Sequence, residues 1–135
     1  MAALLINIDV PELEPAIAFY TRAFGLQLGR RMGPDFVELL GSQAPIYLLV
    51  KGSGTPAATP DGPKRTYTRH WTPVHLDFVV TDIHAALAHA LEAGAKQESA
   101  ISEHAYGTLV LLSDPYGHGV CLLQFNARGY NAIAT

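Results

Sequence analysis

The chain carries one pattern twice, and this repetition limits its fold more than any single motif. In the first copy, Leu4, Ile6, Ile8 and Val10 alternate with Leu5, Asn7 and Asp9, the period-2 signature of a strand. Pro11 ends the ladder because it has no N–H. Leu13, Ala16, Ile17, Tyr20 and Phe24 then recur at helical spacing, and Gly25 follows as a stop. Phe36 to Leu40 and Ile46 to Val50 are strand-like, and Gln27 to Met32 is a weaker third run. In the second copy, His75, Asp77 and Val79 alternate with Leu76, Phe78 and Val80. Thr81 or Asp82 can cap a helix whose stripe is Ile83, Ala86, Leu87, Ala90 and Leu91, and Gly94 ends it. Leu109 to Leu112 and Val120 to Phe125 are strands, joined through Asp114-Pro115-Tyr116-Gly117, a type I turn signature. Val10 aligns with Val80, and Pro15-Ala16-Ile17 with Ala85-Ala86-Leu87.

The expected fold class is therefore α+β, two βαβββ units that together enclose a cavity. Unit one spans 1–51, a Gly-, Pro- and Thr-rich linker 52–71, unit two 72–126 and a tail 127–135. In each unit the helix covers one face of a small sheet. Strand parity then assigns Leu76, Phe78 and Val80 to the helix side, and His75, Asp77 and Val79 to the cavity side. By the same parity Leu5, Asn7 and Asp9 face the cavity from unit one.

Composition narrows the function classes. Nine Lys and Arg oppose twelve Asp and Glu, for a net charge of −3, and no basic stripe suits nucleic acid. No stretch approaches the roughly 20 apolar residues that span a bilayer. The N-terminus lacks a signal-peptide pattern, and the single cysteine, Cys121, cannot form an intramolecular disulfide. The expected location is cytoplasmic. No GxGxxG or GxxxxGK[ST] follows a strand, and no Ser/His/Asp set is legible.

Ala18-Phe19-Tyr20 through Phe24-Gly25-Leu26, His75-Leu76-Asp77-Phe78-Val79-Val80, and Tyr106-Gly107 with Asp114-Pro115-Tyr116-Gly117 resemble the glyoxalase/bleomycin-resistance/dioxygenase (vicinal oxygen chelate) superfamily. The resemblance covers about residues 4 to 126. It implies a divalent metal in the members that are enzymes, held by His, Gln or Glu on the first and last strands of each unit. His75 stands at one such position, whereas Leu5, Tyr47 and Cys121 stand at the others. Cys121 occupies the place where the family commonly has Glu, four residues after the Asp-Pro-x-Gly turn. Only His75 is a standard ligand, which implies a degraded or absent metal site.

The resulting expectation is a small-molecule-binding member of the superfamily. The alternatives are a divalent-metal-dependent lyase, isomerase or dioxygenase using His75, and a non-enzymatic interaction domain. His75, Glu38 and Asp77 are the catalytic candidates, and His75 the metal ligand. Asn7, Tyr47, Trp71, Tyr106 and Cys121 are the ligand-binding candidates. The bland readings are a satisfied strand histidine for His75, a surface or capping carboxylate for Asp77 and an outward, solvated residue for Glu38, the last favoured about two to one. Tyr47 and Cys121 read as lining, and His84 and His89 as solvated helix residues. The cofactor is unknown, either none or a divalent metal. The expected partner is a small organic molecule, not nucleic acid or membrane, and the expected assembly is a homodimer.

Overall fold

The computed structural model describes residues 1–135. The chain forms two compact units, Met1–Thr68 and Arg69–Thr135. No helix is long and apolar enough to cross a membrane.

The first unit contains β1 (Ile6–Val10), α1 (Leu13–Phe24), β2 (Gln27–Arg31), β3 (Phe36–Leu40) and β4 (Ile46–Val50). The sheet order is β1-β4-β3-β2, with β1 parallel to β4 and the other pairs antiparallel. α1 buries Leu13, Ala16, Ile17, Phe19, Tyr20 and Ala23, and Gly25 ends it at φ +67°, a conformation that costs glycine least. The stripe is wider than the sequence periodicity suggested, because Phe19 packs edge-on against Tyr20 and Phe24. Val10, Val37, Leu39, Ile46 and Leu48 are essentially inaccessible and form the helix-side core. Asn7, Tyr47 and Glu38 belong to the opposite parity, with Asn7 paired to Tyr47 and Tyr47 to Glu38.

Part of the expected linker belongs structurally to this unit. Arg65 Nε donates to Asp9 Oδ2 at 2.8 Å, and the Tyr67 hydroxyl donates to the Lys51 carbonyl. A bridge between Pro56 and Lys64 closes the loop.

The second unit contains β5 (Leu76–Val79), α2 (Ile83–Ala93), β6 (Lys96–Gln97), β7 (Ser102–His104), β8 (Gly107–Ser113) and β9 (Gly119–Phe125), then a 3-10 turn at Gly129–Ala132. The sheet order is β5-β9-β8-β6, with β7 also on β8 and β5 parallel to β9. Asp82 caps α2 by accepting from the Ala85 N–H. Gln124 on β9 accepts from the Ile83 N–H at 2.8 Å and fastens the helix start to the sheet. Exposure alternates along β5 as parity requires: Leu76 and Phe78 are half-buried, Asp77 and Val79 exposed. Leu91, expected in the helix stripe, is 39% exposed, and Ile83 and Ala90 carry the helix contact.

Candidate functional site

The helix-free face of the second sheet holds the principal cluster. His75 directly precedes β5, Asp77 lies two residues on and projects to the same side, and Cys121 is the β9 residue paired with Asp77. His75 Nδ1 lies 3.0 Å from Asp77 Oδ1. The Cys121 thiol is buried beside Asp77, and burial first, then the Asp77 charge, pushes it up to about 11. Such a thiol is a poor nucleophile in the metal-free protein. One donor atom from each of His75, Asp77 and Cys121 lies within 4.8 Å of the others. Four-coordinate zinc, with bonds of about 2.0 to 2.3 Å, separates its ligands by roughly 3.3 to 3.8 Å, so small side-chain adjustments suffice. An imidazole, a carboxylate and a thiol fit a divalent cation both in charge and in reach.

Beyond this polar group the same face is apolar. Val79 and Leu109 both pair with Leu123, and Leu111 pairs with Cys121. Val79 is 61% and Leu111 41% exposed. Tyr106 adjoins β8 at Gly107, which pairs with Phe125, whereas Cys121 pairs with Leu111. Four residues of strand, about 14 Å, therefore separate that end from the cluster. There Tyr106 stacks on His104 at 5.0 Å and touches Tyr130. Trp71 is 76% exposed. The structure thus gathers His75, Asp77 and Cys121, and sets Tyr106 at the far end of the ladder.

Glu38 lies in the first unit and is buried, not solvated. Arg30 Nε donates to Oε1 at 3.0 Å and Nη2 to Oε2 at 2.6 Å, the Arg30 N–H also donates to Oε1, and the Tyr47 hydroxyl donates to Oε2 at 3.1 Å. These bonds, the Arg30 side chain foremost, hold the Glu38 carboxyl at about 2. Gly29 makes room for the arrangement, since a Cβ there would lie 2.7 Å from Oε1. A carboxylate so fully engaged is a weak base and has little capacity left for a metal. Asn7, exposed on β1, completes the row beside Tyr47.

One arginine, Arg30, escaped sequence reasoning as part of these faces. Arg30 gave no signal beyond an unremarkable basic pair. Arg69 lies against Gly119, where a Cβ would meet its Nη2 at 2.8 Å, and its forked contact with Glu98 spans 2.6 and 2.8 Å. A glycine within a strand pattern was the available hint that another group approaches closely.

Two units, each a sheet backed by one helix with polar side chains on its other face, define a class of protein. The chain belongs to the glyoxalase-like domain family, whose model matches residues 5–123, and so to the glyoxalase/bleomycin-resistance/dioxygenase superfamily. It is 30% identical over 120 residues to an uncharacterized protein of Mycobacterium bovis, covering 86% of this chain and 78% of that one. Its fold is similar to a glyoxalase/bleomycin resistance protein/dioxygenase family enzyme from Burkholderia phytofirmans, with a TM-score of 0.69, 20% identity and coverage of 93% and 100%. It is also similar to a mutant of the fosfomycin resistance protein FosX from Listeria monocytogenes, in complex with Mn(II) and a dihydroxypropylphosphonic acid. There the TM-score is 0.72, with 14% identity and coverage of 95% and 94%.

Proposed function

We propose that the protein binds a small, partly apolar organic molecule on the helix-free face of its second sheet. His75, Asp77 and Cys121 anchor the polar end, and Val79, Leu109, Leu111 and Leu123 receive the apolar body. The observation that carries this reading is the meeting of three polar side chains beside exposed Val79 and Leu111. Ligand sites typically combine an apolar surface with a few convergent polar groups. Glu38 takes no part in the chemistry, because Arg30 and Tyr47 occupy both of its oxygens. The small phosphonate named with the Listeria protein is a suitable first probe.

Backbone amide NMR shifts recorded with that phosphonate and a panel of small aryl and alkyl acids test the proposal. The expected shifts cluster at His75, Asp77, Val79 and Leu111, and His75→Ala weakens them. Shifts confined to other surfaces, or an absence of shifts across the panel, would defeat it.

A further inference from the structure

We propose that Ser102 and His104 form a nucleophile–base pair that takes an acyl group from a small ester, at the end of the second sheet's helix-free face away from His75. The proposal goes beyond ligand binding, because it assigns a reaction to groups outside the anchor described above. Ser102 Oγ lies 2.8 Å from His104 Nε2, the contact through which a general base activates a hydroxyl. Both side chains belong to the helix-free side. Val79, Leu123, Leu109 and Ser102 stand in one row across the paired strands, and Phe125, Gly107 and His104 stand in the next but one. Directly opposed residues share a face of the sheet. Two strands and two residues separate Ser102 from Cys121, about 12 Å by sheet geometry, so the pair is distinct from the His75 cluster.

Three observations support the assignment. The first is orientation. The His104 ring stacks on Tyr106 with the planes 3° apart, and Tyr130 packs against Tyr106. Asn126 holds the connecting turn, its Nδ2 donating to the Ala105 carbonyl at 2.7 Å and its N–H to the Tyr106 carbonyl at 2.9 Å. The second is access, since His104 is exposed and Ser102 half-buried. The third is the row itself, where half-buried Leu109 and exposed Val79 offer an apolar bed for a short acyl chain. The Leu109 carbonyl, 3.3 Å from Ser102 Oγ, is the more distant acceptor for the hydroxyl. With its proton on Nδ1, the neutral imidazole accepts at Nε2. Ser102 Oγ then attacks the ester carbonyl, and the Oγ–C bond forms as the hydroxyl proton passes to Nε2. The ester C–O bond breaks, and His104 gives that proton to the departing alkoxide, which leaves as an alcohol. Water, with His104 again as the base, releases the carboxylic acid and restores the serine.

Two probes applied to the full-length chain test this. An alkyl fluorophosphonate traps an activated serine by forming an Oγ–P bond and expelling fluoride, and 4-nitrophenyl butyrate reports turnover by absorbance. Peptide mapping should place the phosphonate on Ser102, and the ester should be hydrolysed faster than in buffer. Ser102→Ala should lose both the label and the turnover. His104→Ala keeps the hydroxyl and should slow both by about a hundredfold, the usual scale of general-base catalysis. Neither side chain belongs to the buried core, and thermal melts confirm that the variants fold. A label on other residues only, labelling of His104→Ala at the parent rate, or undiminished turnover by Ser102→Ala would overturn the proposal. Small-molecule shifts at His75 without a label on Ser102 would leave the proposed function standing and remove this reaction. A label on Ser102 without those shifts would do the reverse.

Discussion

Gly107 and Gly119 occupy strands that pair with each other, yet alanine should have opposite consequences at the two sites. At Gly107, φ is +148° and a Cβ would lie 2.0 Å from the Gln124 carbonyl oxygen and 2.9 Å from Phe125 Cα. Both obstacles are backbone of the paired strand, so relief requires β8 and β9 to separate locally. An unfavourable φ costs an L residue about 1–2 kcal/mol, and overpacking adds about 1–3 kcal/mol. The sum, about 2–5 kcal/mol, is a large part of the roughly 5–15 kcal/mol that keeps a domain folded. At about 3–4 °C per kcal/mol for a chain of this length, Gly107→Ala should melt about 6–20 °C below the parent. At Gly119 the obstacle is the guanidinium of Arg69, the far end of a flexible side chain. Moving it forfeits a partly exposed ion pair with Glu98, about 0.2–1 kcal/mol. Alanine recovers about 0.5–1 kcal/mol of the strand penalty of glycine. Gly119→Ala should therefore melt within about 3 °C of the parent, by the same arithmetic. Circular dichroism melts of the two variants decide the matter. Equal melting shifts, or a Gly107→Ala protein as stable as its parent, would refute the claim that close strand approach demands glycine at 107.

Two further perturbations probe the frame of the site. Glu38 is held at about 2, below its ordinary 4.5, so its ion pair stabilises the fold fully above pH 4.5 and loses that effect as pH falls toward 2. The melting-temperature gap between the parent and Glu38→Gln should accordingly be widest near neutrality and close across that interval, and a gap independent of pH would contradict the assignment. Gln124→Ala leaves the Ile83 N–H without its acceptor and should cost about 1–2 kcal/mol by chemical denaturation. Gln124→Glu keeps an acceptor in place and should recover most of that loss; equal destabilisation by both variants would show that the hydrogen bond is not what matters.

The two-unit plan was legible because apolar periodicity switches from two to helical and back, twice, with glycine at each helix end. Parity along β5 was legible for the same reason: Leu76 and Phe78 alternate with Asp77 and Val79. β6 and β7 were not, because Lys96–Gln97 and Ser102–His104 are short and polar and carry no alternation. Their place is set by hydrogen bonding to β8, which is a tertiary fact. Glu38 looked solvated because one acid in an apolar strand ordinarily faces water. Its burial depends on Arg30 of the neighbouring strand, a partner whose register is shifted by an irregularity between Leu28 and Arg31. Asp77 joining Cys121 was likewise a matter of pairing register between β5 and β9, invisible without the sheet.

The distribution of ion pairs separates the carboxylates of these faces by the partner that each one holds. Asp9 is paired with Arg65, Glu38 with Arg30 and Glu98 with Arg69. In each pair the guanidinium supplies the positive charge, and an added dication would have to displace it. Asp77 is paired with a histidine, whose neutral form is itself a ligand. Arginine cannot surrender its charge near neutral pH, whereas imidazole can share a metal with the carboxylate beside it. The same partition that engages Glu38 with Arg30 therefore leaves Asp77 as the carboxylate among these four whose partner is an imidazole.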